Sequence, residues 1–298
     1  MLLQYRLLAI DLDGTLLTPV GHVSPRTRQA VHRALAAGLR VCFATGRNLT
    51  ESHAVLQEVG HFDEAVFAGG ALVIDTSTNT TLRSTTMAPA LARDVCAFLE
   101  SHGHAVLALQ DTAAAGVDYV LPDHRPDRPL NPATVNWLKI TRSKNRCVPS
   151  LGDYDHQHTI RVGIVADPRQ AQETKALLES AFQSRIVTHT LFVSAYGMEV
   201  VEVFDPAVNK WHGVRFVAAR QGIEPGDVIA IGDDVNDLAM IKSAGLGVAM
   251  GNAHPRAAAA ARLQIGPNTH DGLAVFIEKL IDGAIELPPP GKREILAG

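Results

Sequence analysis

Short apolar runs alternate with amphipathic helical stretches along this chain, the pattern of a parallel α/β sheet. The run "RLLAI", Arg6 to Ile10, predicts a first buried strand. "SPRTRQAVHRALAAG" predicts a helix, with Ser24 as N-cap, Pro25 at the first helical position and Gly38 just past the end. "LRVCFA" is a second strand that runs into "TGR", and Asn48 with Glu51 three residues on predicts a capping box for the next helix. The same grammar resumes late in the chain. There "WHGVRFVAARQG" reads as a helix, "DVIAI" as a strand, "NDLAMIKSAG" as a helix, "LGVAM" as a strand and "DGLAVFIEKLI" as a final helix.

Between these halves, from about Arg83 to His189, the character changes. "APALARDVCAFLESHG" and "PRQAQETKALLESAF" predict helices, "HAVLAL", "DYVL" and "TIRVGIVA" predict strands, and the Pro-rich "LPDHRPDRPLNP" predicts a loop. The segment reads as a second domain inserted into the first. The expected division is a core of residues 1–83 and 190–285, an insert of 84–189 and a flexible or loosely docked tail of 286–298.

Composition narrows the partners. With 298 residues, 46% of them hydrophobic and 19% charged, the chain can bury a substantial core. Its formal net charge of -4 offers no basic field for nucleic acid or an acidic membrane, so a small molecule is the expected partner. "MLLQYRLLAI" has too short an apolar stretch, and too early a charged pair, for a signal peptide or a membrane span, which points to a cytoplasmic protein. Cys42, Cys96 and Cys147 form no C-x-x-C pair and read as reduced, buried thiols.

The chemistry gathers where apolar runs end. If Asp11 closes the first strand, Leu12 turns away and Asp13 returns to the side of Asp11, at the carboxyl edge where open α/β sheets bind ligands. Neighbouring carboxylates repel and resist ionisation unless a cation offsets them. A second acidic group, Asp233, Asp234, Asn236 and Asp237, follows another apolar strand, and oxygen ligands from two strand ends suit Mg2+ shared with a substrate phosphate. Alone, each cluster reads equally as a surface turn rich in Asp, Gly and Asn. Lys210 alone reads as a solvated lysine, Arg47 as a substrate contact or a surface arginine at a helix start, and Asn252 as a turn residue. His156 and His158 could share a strand face as metal ligands, although an exposed strand end is the plainer reading.

Taken in order, "DLDGTL", "ATGR", "NK" and "GDDVND" resemble the four signature motifs of the haloacid dehalogenase-like superfamily, specifically its Cof-type phosphatases. "IGDDVNDLAMIKSAGLGVAMGNA" is the most specific piece. The resemblance implies a Rossmann-like core, a parallel sheet with helices on both faces, carrying a large α/β cap inserted between the second and third motifs. It implies Asp11 as the nucleophile that forms an aspartyl-phosphate and Asp13 as general acid and base. Thr45, with Gly46 and Arg47 beside it, would meet the phosphoryl group, Lys210 would neutralise its charge, and Asn252 would lie near it. Mg2+ would be held by Asp11, the backbone carbonyl of Asp13 and Asp233, with Asn236 and Asp237 completing or supporting the site, and Asn236 near the phosphate as well.

Two departures stand out. Gly69, Gly70 and Ala71 replace the common Asn-Gly-Ala after the third strand, and Trp211 follows Lys210 where glycine is common, either crowding the helix start or lending the site an apolar wall. The expected activity is a Mg2+-dependent phosphatase of small phosphomonoesters such as sugar phosphates or phosphorylated cofactors. A phosphosugar mutase with the same two aspartates and a non-catalytic sugar-phosphate sensor are the alternatives. Closure of the cap is expected to exclude water and the cap to choose the substrate.

Overall fold

The computed structural model describes residues 5–123, 130–193 and 197–285, so the expected tail of 286–298 and the middle of the Pro-rich loop lie outside the described residues. The first stretch carries strands β1 (Leu7–Ile10), β2 (Arg40–Phe43), β3 (Glu64–Phe67), β4 (Leu72–Asp75) and β5 (Thr80–Ser84), with helices α1 (Pro25–Ala36) and α2 (Leu49–Val59). The middle stretch carries β6 (Val106–Gln110), β7 (Tyr119–Pro122), β8 (Asn145–Val148), β9 (Thr159–Ala166), β10 (Val187–Val193) and β11 (Met198–Phe204). Its helices are α3 (Pro89–Ser101), α4 (Thr112–Ala115), α5 (Pro132–Thr141) and α6 (Pro168–Phe182). The last stretch carries β12 (Val228–Gly232), β13 (Leu246–Ala249) and β14 (Leu263–Gln264), with α7 (Lys210–Arg220), α8 (Leu238–Ser243), α9 (Pro255–Ala260) and α10 (Gly272–Ile281). No helix among the described residues is long and apolar enough to cross a membrane.

Two compact units result, one of Met1–Leu82 with Asn209–Gly298 and one of Arg83–Val208. In the first, a parallel sheet runs in the order β14-β13-β12-β1-β2. An isolated parallel bridge from Ala44 to Val66 adds β3, which pairs antiparallel with β4 and opens the series β3-β4-β5. Alternate strand residues split between faces. Leu7, Ala9, Cys42, Ala44, Val228 and Ala230 pack with Val214 and Val217 of α7 and Met240 of α8. The intervening Leu8, Ile10, Val41, Phe43, Ile229 and Ile231 are buried as well, and α1 packs beside β2 with α10 alongside α1. Trp211, at the second position of α7, belongs to the apolar cluster that also holds Val214 and Val217. Local signals hold where predicted: Ser24 accepts from the Thr27 amide, and Asn48 and Glu51 form the capping box.

The second unit is a six-stranded sheet in the order β10-β11-β9-β6-β7-β8, antiparallel except for β7 with β8. Val106, Ala108, Val162, Ile164, Val201 and Val203, spaced by two, meet Val95 and Leu99 of α3 and Leu178 and Phe182 of α6. The expected boundary after His189 falls inside β10. The pairs Val187 with Phe204 and Val200 with Val165 join β10 and β11 to the insert's sheet, so the core resumes at Asn209.

Two further expectations are corrected. His156 is fully buried and precedes β9, with Nδ1 against Thr159 Oγ1 at 2.9 Å and Nε2 against the Leu151 carbonyl at 2.7 Å, so it is a structural histidine and not an exposed strand end. Burial lowers its pKa. Cys42 and Cys96 are buried as expected, whereas Cys147 is exposed on β8.

Candidate active site

Register brings the acidic residues together. Ile10 lies opposite Ile231 in the parallel pair of β1 and β12, so Asp11 and Asp233 leave the same edge of the sheet on adjacent strands. The Asp11 amide donates to the Ile231 carbonyl at 3.0 Å, which carries the pairing one residue past the strand. The chain then makes a wide turn, closed by the Leu16 amide on the Asp11 carbonyl at 3.2 Å and the Leu17 amide on the Leu12 carbonyl at 2.9 Å. Gly14 has φ of 81°, and a β-carbon there would fall on the Asp233 carboxylate. Only glycine serves both needs.

Thr45 is fully buried just beyond β2; its amide donates to the Val66 carbonyl at 2.9 Å and its Oγ1 accepts from the Arg47 amide at 3.1 Å. Arg47 grips Asp13 with both arms, Nε to Oδ2 at 2.8 Å and Nη2 to Oδ1. Neither reading of Arg47 as a substrate contact or a surface arginine anticipates this pair. The turn after β3 braces the same region, with the Ala68 amide on the Arg47 carbonyl at 2.8 Å and the Gly69 amide on the Thr45 carbonyl at 3.0 Å. Gly70, at φ 107°, lets the start of α7 come close, since a β-carbon would strike the Asn209 carbonyl. Asn209 caps α7 by accepting from the His212 amide at 3.1 Å, which places Lys210 at the first turn.

Lys210 is buried at 1% exposure and ties the cluster together. Its Nζ donates to Asp11 Oδ1 and Asp237 Oδ1, each at 2.6 Å, and to Asn236 Oδ1 at 3.3 Å. Asp237 uses its other oxygen to accept from the Asp233 and Asp234 amides at 2.9 and 3.0 Å. Both its oxygens are therefore engaged within the protein. Gly46 faces Asn236. Asn252 lies across the turn, its Nδ2 on the Gly14 carbonyl at 2.9 Å and 3.4 Å from Asp233 Oδ2. Thr15 donates to Asp233 Oδ1 at 3.1 Å, a contact that sequence reasoning passed over although Thr15 sits inside "DGT".

The charges do not balance. Oxygens of Asp11, Asp233 and Asp237 lie within 4.8 Å of one another, against one ammonium. Burial and then the Asp237, Asp233 and Asp13 charges hold the Asp11 carboxyl well above its usual range despite Lys210. Burial and Asp237 push Asp233 up to about 7. For Lys210, burial would lower the pKa, but Asp11 and Asp237 outweigh it and raise it. An all-oxygen donor set with surplus negative charge fits a hard divalent cation, and among these groups Asp11 and Asp233 retain the lone pairs to bind one.

A model of the haloacid dehalogenase-like hydrolases matches residues 8–277. The pyridoxal phosphate phosphatase YbhA of Escherichia coli K12 is 28% identical, over 91% of this chain and 97% of its own. An HMP-PP phosphatase of Serratia proteamaculans is 26% identical, over 85% and 86%. Among solved structures, a haloacid dehalogenase-like hydrolase of Bacteroides thetaiotaomicron superposes with a TM-score of 0.75 at 22% identity, covering 93% of this chain and 99% of the other. The subclass IIB sugar phosphatase BT4131 gives 0.74 at 20% identity, covering 94% and 100%. These structural likenesses speak to the fold, which agrees with the parallel core and its inserted sheet. By the match across nearly its whole length, the chain belongs to the haloacid dehalogenase-like hydrolases, as a Cof-type phosphatase.

Proposed function

We propose that this chain is a Mg2+-dependent hydrolase of small-molecule phosphomonoesters that works through an aspartyl-phosphate on Asp11. The observation that carries the reading is Asp11 at the end of β1, its Oδ1 held by Lys210 at 2.6 Å and Asp233 leaving the neighbouring strand end. In the first step a carboxylate oxygen of Asp11 bonds to phosphorus, the ester P–O bond breaks, and the departing oxygen takes a proton from Asp13. In the second, water bonds to phosphorus, Asp13 takes its proton, and the P–O bond to Asp11 breaks, which frees phosphate and restores both aspartates.

The remaining residues position these two. The Thr45 hydroxyl donates to a phosphoryl oxygen, Gly46 leaves room for the group, and the Lys210 ammonium offsets its charge in a buried setting, oriented by Asn236 and Asp237. Arg47 engages both Asp13 oxygens in the resting site, so Asp13 must leave Arg47 before it can carry a proton to the leaving group. Mg2+, held by Asp11, the backbone carbonyl of Asp13 and Asp233 with Asn236 and Asp237 in support, would supply positive charge against the phosphoryl oxygens. The substrate class follows the relatives, one named for pyridoxal phosphate and one for HMP-PP. The insert, which holds none of these residues, selects the substrate.

Phosphate release across a panel of metabolite monophosphates, with Mg2+ and then with a chelator, tests the reading. Release with Mg2+ that chelation abolishes supports it. Full activity after chelation contradicts the metal, phosphoryl migration without phosphate release indicates a mutase, and binding without turnover indicates a sensor.

A further inference from the structure

Two asparagines join the loops around the acidic site without touching Asp11, Lys210 or Thr45. Asn252 is exposed in the loop after β13; its Nδ2 donates to the Gly14 carbonyl at 2.9 Å and comes within 3.4 Å of Asp233 Oδ2, while its Oδ1 accepts from the Asn268 amide at 2.9 Å. Asn268, in the turn before α10, donates from its Nδ2 to the Leu17 carbonyl at 2.8 Å. The turn that presents the Asp13 carbonyl is thus pinned near its middle, at Gly14, and just past its end, at Leu17. Asp233 is pinned from the same side, since the His254 amide donates to its carbonyl at 2.8 Å. With Thr15 on Oδ1 and Asn252 near Oδ2, each Asp233 oxygen has one donor and keeps a lone pair.

Amide bonds of this kind, exposed at Asn252 and half-buried at Asn268, contribute only modest net stability, because folding exchanges them for bonds to water. What they fix is direction. We infer that Asn268 and Asn252 act in series as positioning residues for the metal site, aligning the Asp233 carboxylate and the Asp13–Gly14 backbone, and so set the affinity for Mg2+. This rests on the reading of the acidic site as a Mg2+ centre. It gives Asn252 a part in the metal site in place of a direct phosphate contact, since both ends of its amide are engaged, and it adds Asn268, for which the sequence offered no motif.

The test is calorimetric titration of Mg2+ into the chelator-stripped full chain at fixed pH, for the unsubstituted protein, Asn252→Ala, Asn268→Ala and the double variant, with Asp233→Asn as the reference for a broken site. Metal-free melting temperatures are measured alongside. Asn252→Ala should weaken Mg2+ binding on the order of 10- to 100-fold, the range usual for groups that orient metal ligands. Asn268→Ala should weaken it by a smaller factor, and the losses in the double variant should fall short of multiplying, because the two residues are linked through one chain of bonds. Metal-free melting should hold in all three. Asn268→Asp, which keeps the size but not the donor to Leu17, should follow Asn268→Ala. Unchanged affinity in folded variants, independent multiplying losses in the double variant, or failure of both Asn268 variants to fold would each overturn the inference while leaving the metal reading intact. Absence of Mg2+ binding by the unsubstituted protein would overturn both.

Discussion

A fully buried ammonium is costly to desolvate, and Lys210 holds its charge only because Asp11 and Asp237 each accept from it at 2.6 Å. The same contacts keep Asp11 oriented while burial and its acidic neighbours resist its ionisation. Asp11→Asn keeps the shape but removes the proposed nucleophile, so purified variant should retain the fold by circular dichroism and release no phosphate above background. Asp13→Asn should lose on the order of 10²- to 10⁴-fold in kcat, the usual contribution of acid and base catalysis. The loss should be smaller for an aryl phosphate, whose leaving group needs little protonation, and equal losses on aryl and alkyl esters would contradict the acid role. Asp233 carries a pH signature. Its folded pKa of about 7 lies above the ordinary 3.8, so its protonated form stabilises the metal-free fold below about 3.8, and that contribution is lost as pH rises through about 7. Asp233→Asn escapes this loss. Its metal-free melting temperature should therefore gain on that of the unsubstituted protein as pH rises through this window, and a constant gap would refute the shift.

At the scale of elements, the turn after β3 shows how the site depends on packing away from the chemistry. Gly70 has φ of 107°, and a β-carbon there would strike the Asn209 carbonyl at the start of α7. Gly70→Ala should displace the helix that carries Lys210, costing about 1–3 kcal/mol in denaturant unfolding, with a larger fractional loss in kcat than in Mg2+ affinity. Much of the local framework was legible because its causes are local. The Ser24 cap, the Asn48 and Glu51 capping box, the strand "TIRVGIVA" and the acidic strand ends all follow from neighbouring residues. What depended on distant partners was not. β10 and β11 have the apolar character of core strands, and only the pairing of β11 with β9, and of β10 with β11, assigns them to the insert. Arg47 meets Asp13 across 34 positions, and Asn268 meets Leu17 across 251. No spacing rule encodes either contact. His156 looked like an exposed strand end because the backbone bend at φ 57° that buries it has no signature in "HQH".

Across the whole molecule, Asp11, Asp13, Thr45, Arg47, Lys210 and Asp233 all lie in the unit of Met1–Leu82 and Asn209–Gly298, and the insert of Arg83–Val208 supplies none of them. Phosphoryl transfer and substrate choice are therefore proposed to be separable. Substitutions at exposed insert residues should change relative kcat/KM among metabolite phosphates by 10-fold or more, about 1.4 kcal/mol, while Mg2+ dependence stays put. A substrate ranking indifferent to the insert but reordered by Arg47→Lys would move specificity into the core. The central claim, that Asp11 bonds to phosphorus, is tested most directly by acid-quenching the protein during turnover of a phosphate ester labelled in its phosphoryl group and mapping the label. The account predicts a base-labile label on the peptide that carries Asp11, formed before phosphate release and absent from Asp11→Asn. Phosphate released with no label on the protein at any quench time, together with turnover by Asp11→Asn, would contradict it.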